Sequence, residues 1–205
     1  MNIFYLDSSP SQSAKFHCDK HVVKMIVEYA QLLSTAHRVL DGKMYIDTSS
    51  SRKIKRWKHP IADFDSNLYK ACFVNHPSAM WVRESPWNYY WLQLLWKNLC
   101  EEYTYRYNKG HATYIKLAWY LEILPTNLSF ANNETVVPQC MPNDVKAKNP
   151  VDGYRNYYVQ YKKDFAKWTN RPIPEFMKVP MQRPCNIYET SSTLRNLTKE
   201  VEIIF

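Results

Sequence analysis

The hydrophobic and polar positions of this chain recur mostly with the spacing of an α-helix. The clearest example spans residues 19–41, in which one face is apolar and the other is polar. The predicted buried positions are Val22, Met25, Ile26, Tyr29, Leu33 and Ala36. The polar positions are His21, Lys24, Glu28, Gln31, Thr35 and Arg38. Asp19 can cap this helix, and Asp41 with Gly42 is expected to end it in a left-handed conformation.

The remaining pattern predicts an all-α fold, a compact single-domain helical bundle with a short N-terminal extended segment and long polar loops. Residues 2–6 are the extended segment, and Ser9 and Pro10 start a short helix after it. Polar surface loops are expected at residues 45–58 and 124–150. Further helices are predicted at residues 63–74, from Pro77, and at 86–107, 112–123 and 151–168.

Composition supports a single domain. The chain has 205 residues, of which 45% are hydrophobic and 22% charged, as in ordinary globular proteins. We expect residues 1–170 to form one helical domain and residues 171–205 to be a proline-containing tail, packed on the domain or partly mobile. The chain has only three glycines and no glycine-rich phosphate loop. Its five cysteines lack CxxC pairing, so we expect reduced thiols.

The formal net charge of +8 favours a polyanionic partner, because cationic side chains that neutralise phosphates release condensed counterions. Nucleic acid is the leading candidate. A basic cluster at residues 52–58 surrounds Trp57 and could contact phosphates. The alternative is a charge that only keeps the protein in solution. No stretch approaches the roughly 20 apolar residues of a membrane span, so no membrane partner is expected.

The densest chemistry lies in residues 17–28. His21, Lys24 and Glu28 recur one helical turn apart, so an imidazole, an amine and a carboxylate would line one groove. Glu28 could act as a base or stabilise a cationic intermediate, and a lysine could attack a sugar C1′ to form a Schiff base. The alternative is a solvated helix face with ordinary charge pairs.

Metal binding is a second interpretation of the same segment. His17 and His21 lie four residues apart, and Cys18, His76 or Cys140 could complete a tetrahedral set. There is no HExxH motif and no second paired-ligand motif. We therefore expect no metal and no cofactor. Cys18 is expected to be a small buried side chain rather than a nucleophile.

Several later residues could contact DNA. His76, Arg83 and Asn88 lie at two consecutive helix starts, where backbone N–H groups can receive a phosphate, although either start could simply be well capped. Gln139 in the long polar loop and His17 just before the helix of residues 19–41 are further candidate DNA-binding residues. The helix after Pro150 interleaves aromatic and cationic side chains, which suits stacking on an unpaired base. Its candidate DNA-binding residues are Tyr154, Arg155, Tyr158 and Lys162.

Three segments together carry a family resemblance. They are Asp19-Lys20-His21 opening a helix with Glu28, Asn75-His76-Pro77 before a long helix ending in Glu101-Glu102-Tyr103-Thr104-Tyr105-Arg106-Tyr107, and Tyr154-Arg155-Asn156-Tyr157-Tyr158. In these segments the chain resembles the pyrimidine-dimer DNA glycosylase family, the endonuclease V type of phages and bacteria. The similarity spans most of residues 1–168.

The resemblance implies an all-α glycosylase that flips a nucleotide out of double-stranded DNA. It matches Glu28 to the family's essential glutamate and assigns an amine to attack at C1′. The family uses the α-amine of a processed N-terminal residue, whereas Met1 here precedes Asn2. The family's arginine beside the glutamate is replaced by Val27, or by Ala30 if the gap falls differently. Lys20, Lys24 and the Met1 amine are therefore all candidate nucleophiles.

The leading hypothesis is a DNA glycosylase or glycosylase/lyase that acts on a damaged or modified pyrimidine. Its predicted catalytic residues are Glu28, His21, Lys24 and Lys20. One alternative is a transferase that modifies a DNA pyrimidine in the same groove, and another is a non-catalytic nucleic-acid-binding protein. The protein is expected to be a monomer in the cytoplasm where it is made, the host cytoplasm if a phage encodes it.

Overall fold

The computed structural model describes residues 1–49, 52–130 and 133–178. These residues form a helical bundle with one small sheet, which confirms the all-α prediction. Strands β1 (Lys43–Asp47) and β2 (Ile54–Lys58) pair antiparallel. A short 3-10 helix covers Asn143–Val145. The α-helices are α1 (Pro10–Phe16), α2 (Asp19–Asp41), α3 (Ala62–Asn67), α4 (Pro77–Glu84), α5 (Pro86–Tyr107), α6 (Ala112–Glu122), α7 (Pro150–Tyr161) and α8 (Glu175–Lys178).

Helices α2 and α5 pack against each other at the centre of the bundle, and α1, α4 and α6 contact this pair. The predicted apolar stripe of α2 is confirmed, since all six of its members are buried. On α5, the indole N–H of the buried Trp96 donates to Ile26 O of α2 at 3.0 Å. The core therefore fixes which face of α2 remains for other contacts.

The N-terminal segment is an extended arm rather than a strand of a sheet. Ile3, Phe4 and Leu6 are buried, and Phe4 N donates to the Tyr29 hydroxyl of α2 at 3.1 Å. The Ser13 hydroxyl of α1 donates to Phe4 O at 3.1 Å. Ser9 caps α1 as predicted, because its side chain accepts from Gln12 N. The arm is thus held against the first half of α2.

A buried ion network fixes the start of α2. Arg106 of α5 donates to Glu102 Oε1 at 2.8 Å and to Asp19 Oδ1 at 2.9 Å, and Arg171 donates to both oxygens of Glu102. The prediction that Asp19 caps α2 is wrong. Cys18 holds the cap position without a side-chain hydrogen bond, since the Asp19 carboxylate is engaged with Arg106 and Thr169.

Two other boundary predictions fail around Arg38, the last polar residue of the predicted α2 face. The helix predicted at residues 63–74 ends at Asn67, because the Leu68 and Tyr69 carbonyls accept from the Arg38 guanidinium at 2.8 and 2.7 Å. Gly42 has φ −90°, so α2 does not end in a left-handed residue. Glycine is needed there because a Cβ would lie 2.3 Å from Arg38 O.

Other segments differ more modestly from the predictions. Residues 43–58 contain the β1–β2 hairpin where a surface loop was expected, because charged residues on both strands hide the alternation. His76 rather than Asn75 caps α4, and α7 ends at Tyr161 rather than near residue 168. Most of the predicted tail, residues 179–205, lies outside the described residues. Within the described residues, no helix combines the length and apolar character that crossing a bilayer demands.

Candidate active site

The first half of α2 forms one wall of a cleft of about 390 Å³. The N-terminal arm, the start of α4 and helix α7 complete it. The polar or charged groups that line the cleft belong to Met1, Asn2, His21, Lys24, Glu28, His76 and Lys162. The volume lies within the range of roughly 300–1,000 Å³ that is common for small-ligand sites.

Lys24 and Glu28 form an ion pair across one turn of α2. Lys24 Nζ lies 3.2 Å from Glu28 Oε1. The Lys24 side chain is 69% exposed, whereas the Glu28 side chain is only 19% exposed. The carboxylate is therefore partly enclosed in the cleft, and the lysine can leave it at little cost because exposed ion pairs are weak.

His21 lies at the base of the same cleft and is buried. Its ring stacks on Phe4 with centroids 4.2 Å apart, and its Nδ1 shares a hydrogen bond with the Tyr158 hydroxyl. Burial lowers the pKa of His21 to about 3, and the positive charges of His17, Lys162 and Lys24 add to the effect. The ring is neutral at neutral pH, so His21 cannot supply a proton as an imidazolium.

The extended arm places Met1 in the cleft. Asn2 anchors the arm, since its Nδ2 donates to Cys140 O at 2.9 Å and its Oδ1 accepts from the Tyr154 hydroxyl at 2.7 Å. Met1 Sδ lies 3.9 Å from Cys72 Sγ. The pKa of His76 is lowered mainly by burial and also by the Met1 amine, while Glu28 opposes the shift. The Met1 amine, Glu28 and His76 therefore share one electrostatic environment.

The structure brings five residues of the predicted catalytic and DNA-binding sets together in one cleft. His21, Lys24, Glu28, His76 and Lys162 line the cleft. Lys20 does not line it, and its Nζ lies 4.8 Å from the centroid of the Phe165 ring. Lys162 Nζ lies 4.4 Å from the Tyr157 ring centroid, at the opposite wall.

Three predicted DNA-binding residues are inside the protein. His17 is fully buried, and its two nitrogens bond to Ser13 O at 2.7 Å and the Tyr29 hydroxyl at 2.8 Å. Tyr158 and Asn88 are also fully buried, and Asn88 Nδ2 donates to Trp81 O. Their contacts stabilise the fold.

The other predicted DNA-binding residues organise loops around the arm. Tyr154 is buried and holds Asn2, and Gln139 bonds to both the N–H and the carbonyl of Ala147. Arg83 donates to Val74 O at 2.8 Å. Arg155 donates to Leu6 O and pairs with Asp7. These residues therefore hold the arm and the neighbouring loops in place next to the cleft.

The sequence offered the Met1 amine as a candidate nucleophile, but no local pattern predicted the Asn2 anchor that places Met1 in the cleft. No sequence signal pointed to Phe73, which is 67% exposed and has φ +47°, a left-handed conformation that is strained for an aromatic residue. Phe73 O accepts from His76 N at 2.8 Å. Residues 71–75 line a second groove together with Ile54, Lys55 and Trp57 of β2.

Comparison with known proteins identifies the family of the chain. The fold and cleft define a helical protein with a carboxylate and amines at one site. The family model for pyrimidine dimer DNA glycosylases matches residues 1–115, more than half of the chain, and the chain belongs to that family. Its function at the family level is that of a DNA glycosylase, with DNA as substrate. Searches among curated proteins and among solved structures gave no match.

Proposed function

We propose that this protein is a DNA glycosylase with an associated lyase step, which removes a damaged or modified pyrimidine from double-stranded DNA. The observation that carries the proposal is that Glu28 shares the cleft with two amines, those of Lys24 and Met1. Both belong to the part of the chain that the family model matches. Lys20 is left out because it does not line the cleft.

In the proposed reaction an unprotonated amine of the cleft attacks C1′ of the flipped nucleotide. The nitrogen–C1′ bond forms while the glycosyl bond breaks, and the electron pair of that bond leaves with the pyrimidine. The nitrogen then gives up one proton, and its lone pair forms the C1′=N bond of a Schiff base as the C1′–O4′ bond breaks and O4′ takes up a proton. Elimination from this intermediate then cleaves the strand on the 3′ side of the sugar.

Glu28 has two tasks in this scheme. Its carboxylate accepts the proton of the attacking amine, and it stabilises the positive charge that develops at the sugar. Partial enclosure strengthens the second effect, because the charge is less screened there than in water. His21 is a positioning residue instead, since it is neutral and bonded to Tyr158.

DNA would approach along the cationic rim of the cleft. Lys24 and Lys162 contribute positive charge at the site, and the net charge of +8 favours phosphate contacts elsewhere. The reacting groups lie inside a cleft, so the target nucleotide must leave the base stack to reach them. The proposal requires no partner subunit.

Borohydride trapping on DNA tests the proposal. The protein is incubated with duplexes that each carry one cyclobutane dimer, oxidised pyrimidine or hypermodified pyrimidine, in the presence of the reductant. A reduced Schiff base should appear as a covalent protein–DNA adduct on at least one duplex. Peptide mapping of the adduct then distinguishes attachment at Lys24 from attachment at Met1.

Glu28→Gln is the decisive variant. It should retain DNA affinity and lose turnover by roughly 10²–10⁴-fold, the usual contribution of a positioned acid or base. Glu122→Gln is the matched control, because that exposed carboxylate of α6 pairs only with Lys97 in the described contacts. Base release without an adduct would contradict the lyase step. Binding without base release on any duplex would favour the transferase or the non-catalytic alternative.

A further inference from the structure

A second polar cluster lies at the other end of α2, about 13.5 Å along the helix from Glu28 at 1.5 Å per residue. His37 and Asp41 occupy the last turns of α2, and His59 follows β2. One donor atom from each lies within 4.8 Å of the others. His37 and His59 are 1% and 3% exposed. The cluster is therefore separate from the cleft and shielded from solvent.

His37 presents a free lone pair to this cluster. Its Nε2 lies 2.9 Å from the Tyr89 hydroxyl, which donates its own hydrogen to Leu121 O at 3.1 Å. The Tyr89 oxygen therefore accepts, and the ring hydrogen of His37 resides on Nε2. Nδ1 is left without a hydrogen-bond partner, 3.9 Å from Asp41 Oδ2. Two acceptors that face each other in a buried space call for an electropositive atom between them.

Asp41 is held in place for such a role. Its Oδ2 accepts from Thr126 N at 2.9 Å, and its Oδ1 accepts from Asn127 N at 2.9 Å. Supporting hydrogen bonds of this kind orient the ligands of metal sites. The Tyr89 hydroxyl does the same for His37.

His59 completes the cluster. Its Nε2 lies 3.8 Å from Asp41 Oδ2 and has no hydrogen-bond partner, and its ring stacks on Phe64 with centroids 4.9 Å apart. Ile61 N donates to its Nδ1 at 3.2 Å. If Nε2 binds the ion, the ring hydrogen must lie on Nδ1. Nδ1 can then no longer accept from Ile61 N, so this 3.2 Å hydrogen bond is lost.

We propose that His37, Asp41 and His59 bind one divalent transition-metal ion of the zinc type. Two imidazoles and one carboxylate suit zinc, whereas magnesium and calcium prefer oxygen ligands alone. Tetrahedral zinc with ligands at about 2.0–2.1 Å needs donor atoms about 3.3 Å apart. The 3.8 and 3.9 Å separations from Asp41 Oδ2 require a contraction of about half an ångström, and the donor nitrogens of His37 and His59, which lie within 4.8 Å of each other, must approach by up to about 1.5 Å.

The ion would have a structural role. It would join the end of α2 to the segment after β2, and through Asp41 to the turn at Thr126 and Asn127. These ligands differ from the cysteine and histidine set considered from the sequence, in which both nitrogens of His17 are already bonded. The site does not depend on the proposed reaction.

Metal titration of the full-length protein tests the site. The protein is stripped with a chelator and titrated with Zn²⁺, and separately with Co²⁺ as a spectroscopic probe. We expect one bound equivalent, a visible Co²⁺ spectrum without a thiolate charge-transfer band, and a higher Tm. At metal about 100-fold above Kd the rise should be about 5–10 °C for a chain of this size.

The matched variants are His59→Gln and His111→Gln. His111 caps α6 and is remote from the cluster, so His111→Gln should retain the equivalent and the Tm rise. His59→Gln should lose both. Failure of the wild-type protein to bind metal would overturn the proposal. A thiolate band in the Co²⁺ spectrum, or undiminished metal binding by His59→Gln, would also overturn it. If a variant does not fold, the measurement on the wild-type protein still decides.

Discussion

The two ends of α2 carry similar polar side chains in opposite environments. At the first end, Lys24 and Glu28 face an open cleft and pair with each other at 3.2 Å. At the far end, Arg38 and Asp41 are enclosed, and each is fixed by several hydrogen bonds from other segments. A charged group in water keeps its freedom to react, whereas a buried one must be satisfied by the fold.

The polar face of one helix can therefore have two roles. Its residues at one end can take part in a reaction, whereas those at the other end stabilise the fold. The cleft end has an exposed amine that can exchange partners. At the far end, all of the guanidinium nitrogens of Arg38 donate hydrogen bonds, including 2.7 Å bonds to the Asp65 carboxylate and carbonyl. Substitutions at the first end should therefore change activity, and those at the second end should change stability.

The largest stability effect is expected for Arg38→Met. It leaves the Asp65 carboxylate without its cationic partner and takes away the side-chain donor of the Leu68 and Tyr69 carbonyls, so it should cost about 3–5 kcal/mol in the free energy of unfolding. Urea unfolding followed by circular dichroism measures it. A loss below about 1 kcal/mol would contradict the architectural role of this end.

Acid should weaken the cleft end through its buried histidines. Burial lowers the pKa of folded His17 to about 4, below the ordinary 6.5, so the unfolded chain binds the proton first as pH falls. Stability is complete above about pH 6.5 and falls towards pH 4, by on the order of 3 kcal/mol for this group. Urea midpoints at pH 7.5 and 4.5 check it.

The control for this pH effect compares two histidine variants. His17→Gln should show a smaller loss of unfolding free energy between the two pH values than the wild type. His111→Gln should resemble the wild type more closely, because His111 is only partly buried. Equal pH dependence in His17→Gln and the wild type would assign the acid sensitivity to other groups.

Gly42→Ala should damage the far end of α2. The new Cβ would lie 2.3 Å from Arg38 O, so the backbone must shift, at a cost of about 1–3 kcal/mol. Gly110→Ala is the matched control, since its nearest atom would be Ile115 Cδ1 at 3.7 Å. Thermal unfolding should separate the two variants. Similar Tm values would show that the end of α2 is more adaptable than this packing implies.

Phe73→Ala should act at the cleft end on DNA binding. Exposed aromatic rings stack on unpaired bases, so under the proposed function the loss of the Phe73 ring should weaken binding by about 1 kcal/mol, or roughly fivefold in Kd. Fluorescence anisotropy at fixed salt measures Kd. Trp119→Ala is the control, because Trp119 is an exposed aromatic of α6 that does not line the cleft. Equal losses in both variants would remove Phe73 from the DNA contact.

The smallest effect is expected for Lys24→Met on stability. The exposed pair with Glu28 contributes little, so the free energy of unfolding should change by no more than about 0.5 kcal/mol. The same urea experiment as for Arg38→Met gives the direct contrast between the two ends. If Lys24→Met lost as much unfolding free energy as Arg38→Met, the two ends of α2 would not differ in their contribution to stability.

The sequence by itself determined the helical class, the apolar face of α2, the cap at Ser9 and the span of α5. These follow from spacing and local hydrogen bonds, which act over a few residues. The sequence also placed His21, Lys24 and Glu28 on one face. It could not assign a neutral, buried state to His21, which depends on Phe4 and Tyr158.

Only the tertiary structure decided which polar residues reach solvent. Met1 enters the cleft because Asn2 bonds to the Cys140 carbonyl and the Tyr154 hydroxyl, partners more than 130 positions away in the chain. His59 meets His37 and Asp41 because the β1–β2 hairpin turns the chain back onto α2. Such contacts join segments with no local pattern in common, so burial and pairing emerge only when the whole chain packs.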